Sequence, residues 1–267
     1  MRSSALRQFF LAPAGPQAPA PPPGIVAAHF VLVLLVLAFV FTLTFHRIGY
    51  HWNWEDLWRY RALFWKGWLT TLALALASLV LSASLGIAAA LASKARFLPA
   101  RVASRVYVEL IRGTPLLVQI LVLFYVVAPA FHLENRFVAG TLILALFAGA
   151  YITEIIRAGI DSVGASQWET ARSIGLTHAQ TYRLVVAPQA FRQILPPLAG
   201  QFVSLVKDSS LLSVIGIGEF ALNAQQFNAL TYATLEGYLP LALGYLVLTL
   251  PISLWARRLE RQAHFDT

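Results

Sequence analysis

Three charged side chains stand where the sequence is otherwise apolar, Glu154, Lys207 and Asp208, and Asp161 stands near the end of such a stretch. An ionised group is costly in hydrocarbon and persists there when it faces a cavity, a partner charge or a path for a polar solute. Glu154 and Asp161 are seven residues apart, so on one helix they share a face about two turns apart. Facing a cavity, two such carboxylates would hold a cationic group, which leans the choice of solute toward a cationic one. The plainer arrangement pairs Glu154 with Arg157 one turn on, and Lys207 with Asp208 or another acid. Lys207-Asp208 would then interrupt a helix near a gate. Gln119 adds a neutral donor and acceptor in another apolar stretch. Glu109 and Arg112, one turn apart, read as an ion pair at the mouth of that stretch. All of this is chemistry of binding and passage. Motifs of bond-making chemistry are missing from the sequence: there is no G-x4-G-K-[S/T], no G-x-S-x-G and no H-E-x-x-H. Without cysteine there is neither a disulfide framework nor a thiolate metal site. His29 is the one histidine inside an apolar run, far from any matching motif, so no metal or cofactor is expected.

The elements that position these groups are membrane helices. Of 267 residues, 58% are hydrophobic and 12% charged, about half the charged share of a soluble domain. That composition excludes a soluble enzyme, a disordered chain and a nucleic-acid binder. The net charge of +8 needs no nucleic acid, only the Lys/Arg excess that orients membrane proteins. Crossing hydrocarbon takes about 20 apolar residues as helix. Six stretches qualify: 25–45, 67–93, 113–131, 137–153 (with a run-on to Arg157), 193–218 (interrupted at Lys207-Asp208) and 237–256. Six spans put both termini on one side. Alternate connecting segments carry fourteen Lys/Arg against five, which places both termini in the cytoplasm. A cleaved signal peptide is a poorer reading of 25–45, since the apolar run is too long and no small-residue cleavage site follows. Residues 1–24 form a Pro-rich cytoplasmic tail. Residues 46–66, with Trp52, Trp54, Trp58 and Trp65, form a periplasmic interfacial segment. Ser78, Ser82, Gly86 and Ala90 put small side chains on one helix face, where a second helix can approach closely.

The stretch 157–192 is too polar to cross the membrane and too punctuated for a passive linker. Ser166-Gln167-Trp168-Glu169 reads as a capping box. Its helix ends near Ser173, and Gly175 follows where the left-handed region is needed. Thr177-His178-Ala179-Gln180 is a second box, with a helix that stops before Pro188. Two short helices with a glycine hinge make a stiff elbow at the membrane surface. Its first helix presents Trp168, Ala171 and Arg172, with Ala171 small enough for a partner to come close. The bland alternative is a folded loop packed on its own helices.

Glu169-Thr170-Ala171, then Gly175, then Val185-Val186-Ala187-Pro188 resembles the E-A-A-x3-G-x9-I-x-L-P loop of ABC importer permeases. Thr170 and Ala187 depart from that pattern, and neither departure removes a charge or the hinge. Arg112-Gly113-Thr114-Pro115-Leu116 with Gln119 is similar to the R-G-T-P-L-x-x-Q signature of the polar amino acid branch. So are Tyr151–Ile160 and Lys207-Asp208-Ser209-Ser210-Leu211. The likeness covers roughly residues 69–258.

The resemblance implies an all-α membrane protein with six transmembrane helices and a type I ABC importer permease-like fold. It implies a core at 67–258 of five spans with a cytoplasmic coupling loop at 157–192, followed by a tail at 259–267. It also implies residence in a bacterial inner membrane, a dimer of ABC ATPase subunits, a second permease subunit (the same chain or a paralogue) and a periplasmic solute-binding protein. Ser166, Trp168, Glu169, Thr170, Ala171, Arg172 and Gly175 would contact the ATPase or shape that contact. Gln119, Glu154, Asp161, Lys207 and Asp208 would line the path of a polar amino acid. Two other classes compete. A secondary transporter or channel would show inverted repeats, and none is visible here. An intramembrane hydrolase would need a nucleophile–base pair or a metal set among the spans.

Overall fold

In a computed structural model, residues 22–264 are described, and they are helical nearly throughout. Most of the Pro-rich tail, and the last three residues of 259–267, lie outside them. The chain divides into two units, 1–52 and 53–267.

The first unit is one helix, α1 (Pro23–Ile48). Proline stands at its start, where no backbone donor is needed, and Gly49 ends it in the left-handed region at φ 63°. Its side chains are apolar on every side, as lipid requires. At its end Phe45 meets Tyr50 edge to face, and Tyr50 meets Trp52 likewise, which suits the headgroup level.

The second unit begins with a short helix, α2 (Trp54–Arg59), and runs into α3 (Arg61–Ser93). Then come α4 (Leu98–Arg112), α5 (Leu116–Val122) and α6 (Arg136–Asp161). The elbow helices are α7 (Ala165–Ser173) and α8 (His178–Thr181). The chain returns through α9 (Ala187–Asp208), a 3-10 turn (Ser209–Ile215), α10 (Phe220–Thr231) and α11 (Thr234–His264).

Small side chains bring α3 and α6 together. Ser78, Ser82, Gly86 and Ala90 are all buried. A Cβ at Gly86 would lie 2.5 Å from Ile152, and Thr153 Oγ1 donates to the Gly86 carbonyl. Close packing and interhelical hydrogen bonds of this kind replace the hydrophobic drive that lipid does not supply. Gly159 likewise lets Ile194 of α9 approach α6. The central core is Leu74, Ile120, Leu144, Leu205 and Leu212. An aromatic cluster of Phe64, Phe220 and Phe227, flanked by Tyr60 and Tyr245, fixes α10 against α3 and α11.

The third expected span is where structure and pattern part. Residues 113–131 do not form one straight helix with their surroundings. Leu98–Arg112 and Leu116–Ala130 meet at 107° across Gly113-Thr114-Pro115. The second arm has 15 residues, about 22 Å at the helical rise, less than a bilayer's hydrocarbon thickness. It is widened by a π-turn at Leu123–Val127 just before Pro129. A second π-turn, Tyr182–Val186, stands just before Pro188. Proline has no N–H and its ring meets the carbonyl four residues back, so a π-turn accommodates it without ending the helix. The expected stop before Pro188 is therefore replaced by a bulge, and the path from His178 to Ile215 is continuous.

Candidate functional site

The elbow is built from the sequence outward. Helix α6 ends at Asp161, and Gly164 takes the extended N-cap conformation of α7. That starts α7 before Ser166, whose hydroxyl then lies inside the helix. The first expected capping box is absent for this reason. The second is present: Thr177 Oγ1 accepts from the Gln180 amide, and Gln180 Oε1 accepts from the Thr177 amide at 2.9 Å. Between the helices Gly175 is left-handed at φ 84°. The Leu176 amide donates to the Ala171 carbonyl and the Gly175 amide to the Arg172 carbonyl, the paired bonds of a Schellman ending.

Two faces of α7 do different things. Trp168 and Ala171 point inward. Trp168 packs with Tyr182 against Val163, Val186 and Ala190, its ring also 5.7 Å from His178. Ala171 is 2% exposed, so its small size serves the elbow's own packing and not a partner's approach. That corrects the expectation that α7 presents Ala171 to a partner, while Trp168 is half-buried in the same packing. Ser166, Glu169, Thr170, Arg172 and Ser173 are exposed. Ser166, Glu169, Thr170 and Ser173 fall on one side at helical spacing. Because the elbow's cluster joins residues of α6, α7, the π-turn and α9, a push on α7 reaches the ends of two spans.

Glu154 and Asp161 do share a face: both line a cleft of about 840 Å³ between α4 and the ends of α3 and α6. Neither carboxylate waits for a solute. Glu154 accepts from Arg157 at 2.9–3.0 Å and from Arg112 of α4 at 2.9 Å. Asp161 pairs with Lys94. The lean toward a cationic solute loses its ground. Arg112 pairs with Glu154, and the expected Glu109–Arg112 pair is replaced by Arg105–Glu109 at 3.4 Å. The sequence held the signal for Glu154–Arg157 in its spacing. It held none for Arg112 or Lys94, which arrive from other helices.

Gln119 is 8% exposed, and its Nε2 donates to the Ile111 carbonyl, the Thr114 carbonyl and Thr114 Oγ1. It fastens the break between α4 and α5. Lys207 is exposed and Asp208 half-buried at the point where α9 tightens into the 3-10 turn, so the winding changes there while the helical path continues. Sequence reasoning passed over Glu219. This fully buried carboxylate caps α10, accepting from the Ala221 and Leu222 amides at 2.8 and 2.6 Å and from Tyr245 Oη at 3.1 Å. Glu is not among the usual N-cap residues, and only the general preference of a carboxylate for a helix N-terminus pointed to it.

Apolar spans packed through small residues, with a polar elbow packed on the ends of two of them, are the features of a membrane-embedded subunit. Residues 82–264 match the family described as binding-protein-dependent transport system inner membrane component, and the chain belongs to that family. It is a multi-pass inner-membrane protein and a transport component, not an enzyme. It is 36% identical over 201 residues to a probable glutamine ABC transporter permease, GlnM, of Bacillus subtilis, covering 75% of this chain and 93% of that one. It is 40% identical over 194 residues to the L-cystine transport system permease TcyB of the same organism, covering 72% and 82%. A crystal structure of an amino acid ABC transporter with histidines superposes with a TM-score of 0.74 at 36% identity, covering 80% of this chain and all of that one. The fold is that of the type I ABC importer permeases.

Proposed function

We propose that this chain forms the translocation path of an ATP-driven importer for a polar amino acid. The solute arrives from a periplasmic binding protein. A dimer of ABC ATPase subunits drives the cycle, and a second permease subunit, identical or paralogous, completes the path. Both termini lie in the cytoplasm, as the Lys/Arg asymmetry supports. The relatives named for glutamine and cystine support an amino acid as solute.

The observation that carries this reading is the two-faced elbow. The exposed face of α7, with Ser166, Glu169, Thr170 and Arg172, seats in the ATPase. The inward Trp168 and Ala171, with Gly175, keep the elbow in one shape. Closure of the ATPase pair moves α7, and the cluster around Val186 carries that movement into α6 and α9 as one body. Lys207 and Asp208 stand where α9 changes its winding, the place at which such a movement alters the path, and Gln119 holds the break in the facing helix. Glu154 and Asp161 keep the inner ends of α3, α4 and α6 in register through their ion pairs.

The test is uptake of radiolabelled amino acids by vesicles holding the assembled transporter, its binding protein and internal ATP. Glu169→Ala is expected to lower uptake at least tenfold while the isolated ATPase hydrolyses ATP normally. Unchanged uptake would overturn the coupling role. Binding of the same labelled amino acids to the purified solute-binding protein names the solute.

A further inference from the structure

Helix α4 is amphipathic in an unusual sense. One side, with Ser104 and Val108, is buried on the rest of the unit. Leu98, Val102, Val106 and Leu110 recur every four residues away from that side and are 47–63% exposed. Between the two runs a polar row, Arg101, Arg105, Glu109 and Arg112, which faces the cleft of about 840 Å³. Five cations line that cleft with three carboxylates, and each carboxylate has its own cation. Glu154 holds Arg112 and Arg157, and Asp161 holds Lys94. Glu109 meets Arg105 at 3.4 Å, with both largely exposed, a pair of little net strength. Arg101 turns Nε and Nη2 to the Ala95 carbonyl, a neutral acceptor, so its charge is unmatched.

The setting is a membrane boundary. Helix α3 ends at Ser93, one turn before α4, and the chain turns through 107° into the apolar arm that follows. A helix carrying three arginines in fifteen residues does not cross hydrocarbon, and one with four exposed aliphatic side chains is not at home in water. Such a composition suits the membrane surface, where arginines stand level with the headgroups.

We propose that this cleft binds an anionic phospholipid, its phosphate held between Arg101 and Arg105 and its acyl chains laid over Leu98 and Val102. Unpaired positive charge beside an exposed aliphatic row fits an anionic amphiphile, and fits neither a zwitterionic lipid nor a free anion as well. The bound lipid holds α4 at its leaflet and steadies the ends of α3 and α6 that lead into the elbow. The topology proposed above says which leaflet that is, and the site itself does not depend on it.

The experiment is native mass spectrometry of the assembled transporter, purified from the membrane and exchanged into nanodiscs containing both phosphatidylglycerol and phosphatidylcholine. The wild type is expected to retain phosphatidylglycerol selectively. Arg101→Gln with Arg105→Gln is expected to lower that retention roughly thirty-fold, the scale of two cations at an anionic surface, with the ATPase still bound. Excess inorganic phosphate should not displace the lipid. Equal retention of the two lipids, displacement by phosphate, or a disulfide linking Val106→Cys across two permease copies would each overturn the assignment. Uptake is measured separately, so an inactive transporter that still selects phosphatidylglycerol leaves this inference standing while the transport reading fails.

Discussion

Gly175 is the residue on which the elbow's shape turns. Its φ of 84° costs an L side chain roughly 1–2 kcal/mol, although a Cβ there would meet no atom within 4 Å. Gly175→Ala should therefore be expressed and inserted yet couple poorly, seen as uptake falling several-fold with the ATPase still associated. Gly86 poses the opposite problem. Its φ is ordinary, but its Cβ would collide with Ile152, so Gly86→Ala forces α3 from α6 at about 1–3 kcal/mol. Gly200, with open space around it, is the control that should tolerate alanine. Thermal unfolding in detergent separates them, with Gly86→Ala and Gly175→Ala lowering the midpoint and Gly200→Ala leaving it in place. At Glu219, Gln keeps one acceptor oxygen where the carboxylate serves two amides and Tyr245. Glu219→Gln should lower the midpoint too, by a buried charged bond's worth of about 1.5–3 kcal/mol.

Among the elements, the π-turn at Tyr182–Val186 links the elbow to α9, and it exists because Pro188 follows. A π-turn is one residue inserted into an α-helix. Deleting the exposed Leu184 would turn everything before it by about 100° around the axis of α9, which strips Trp168 from the cluster of Val163, Val186 and Ala190. Limited proteolysis within 162–181 should become rapid while the spans stay protected. Persistent protection would show that the elbow does not depend on this turn. These elements also divide what could be read beforehand. The small-residue stripe, the Gly175 hinge and the Thr177 cap were legible because each depends on neighbours in sequence. The Ser166 cap failed because a glycine two residues earlier captured the helix start. The bend at Gly113–Pro115 was hidden in an apolar run, since hydropathy counts side chains and does not register direction. The partners of Glu154 and Asp161 from α4 and the end of α3 were invisible to any rule of helical spacing.

At the scale of the molecule, the chain is a transport component of the binding-protein-dependent family. The spans are held by close packing and a few buried hydrogen bonds, and the polar chemistry is gathered at their ends. On the reading proposed above, movement enters at the exposed side of α7 and passes through the cluster that joins it to α6 and α9. Under the proposed reading, the Lys/Arg asymmetry supports a cytoplasmic position for that entrance. The measurement that tests this most directly uses the absence of cysteine from the sequence. Glu169→Cys gives a single thiol at the centre of the exposed face. In vesicles of the assembled transporter, a membrane-impermeant thiol reagent should reach it from the cytoplasmic side alone, and bound ATPase should shield it. Labelling from the outer side, or labelling at the same rate with and without the ATPase, would contradict the account.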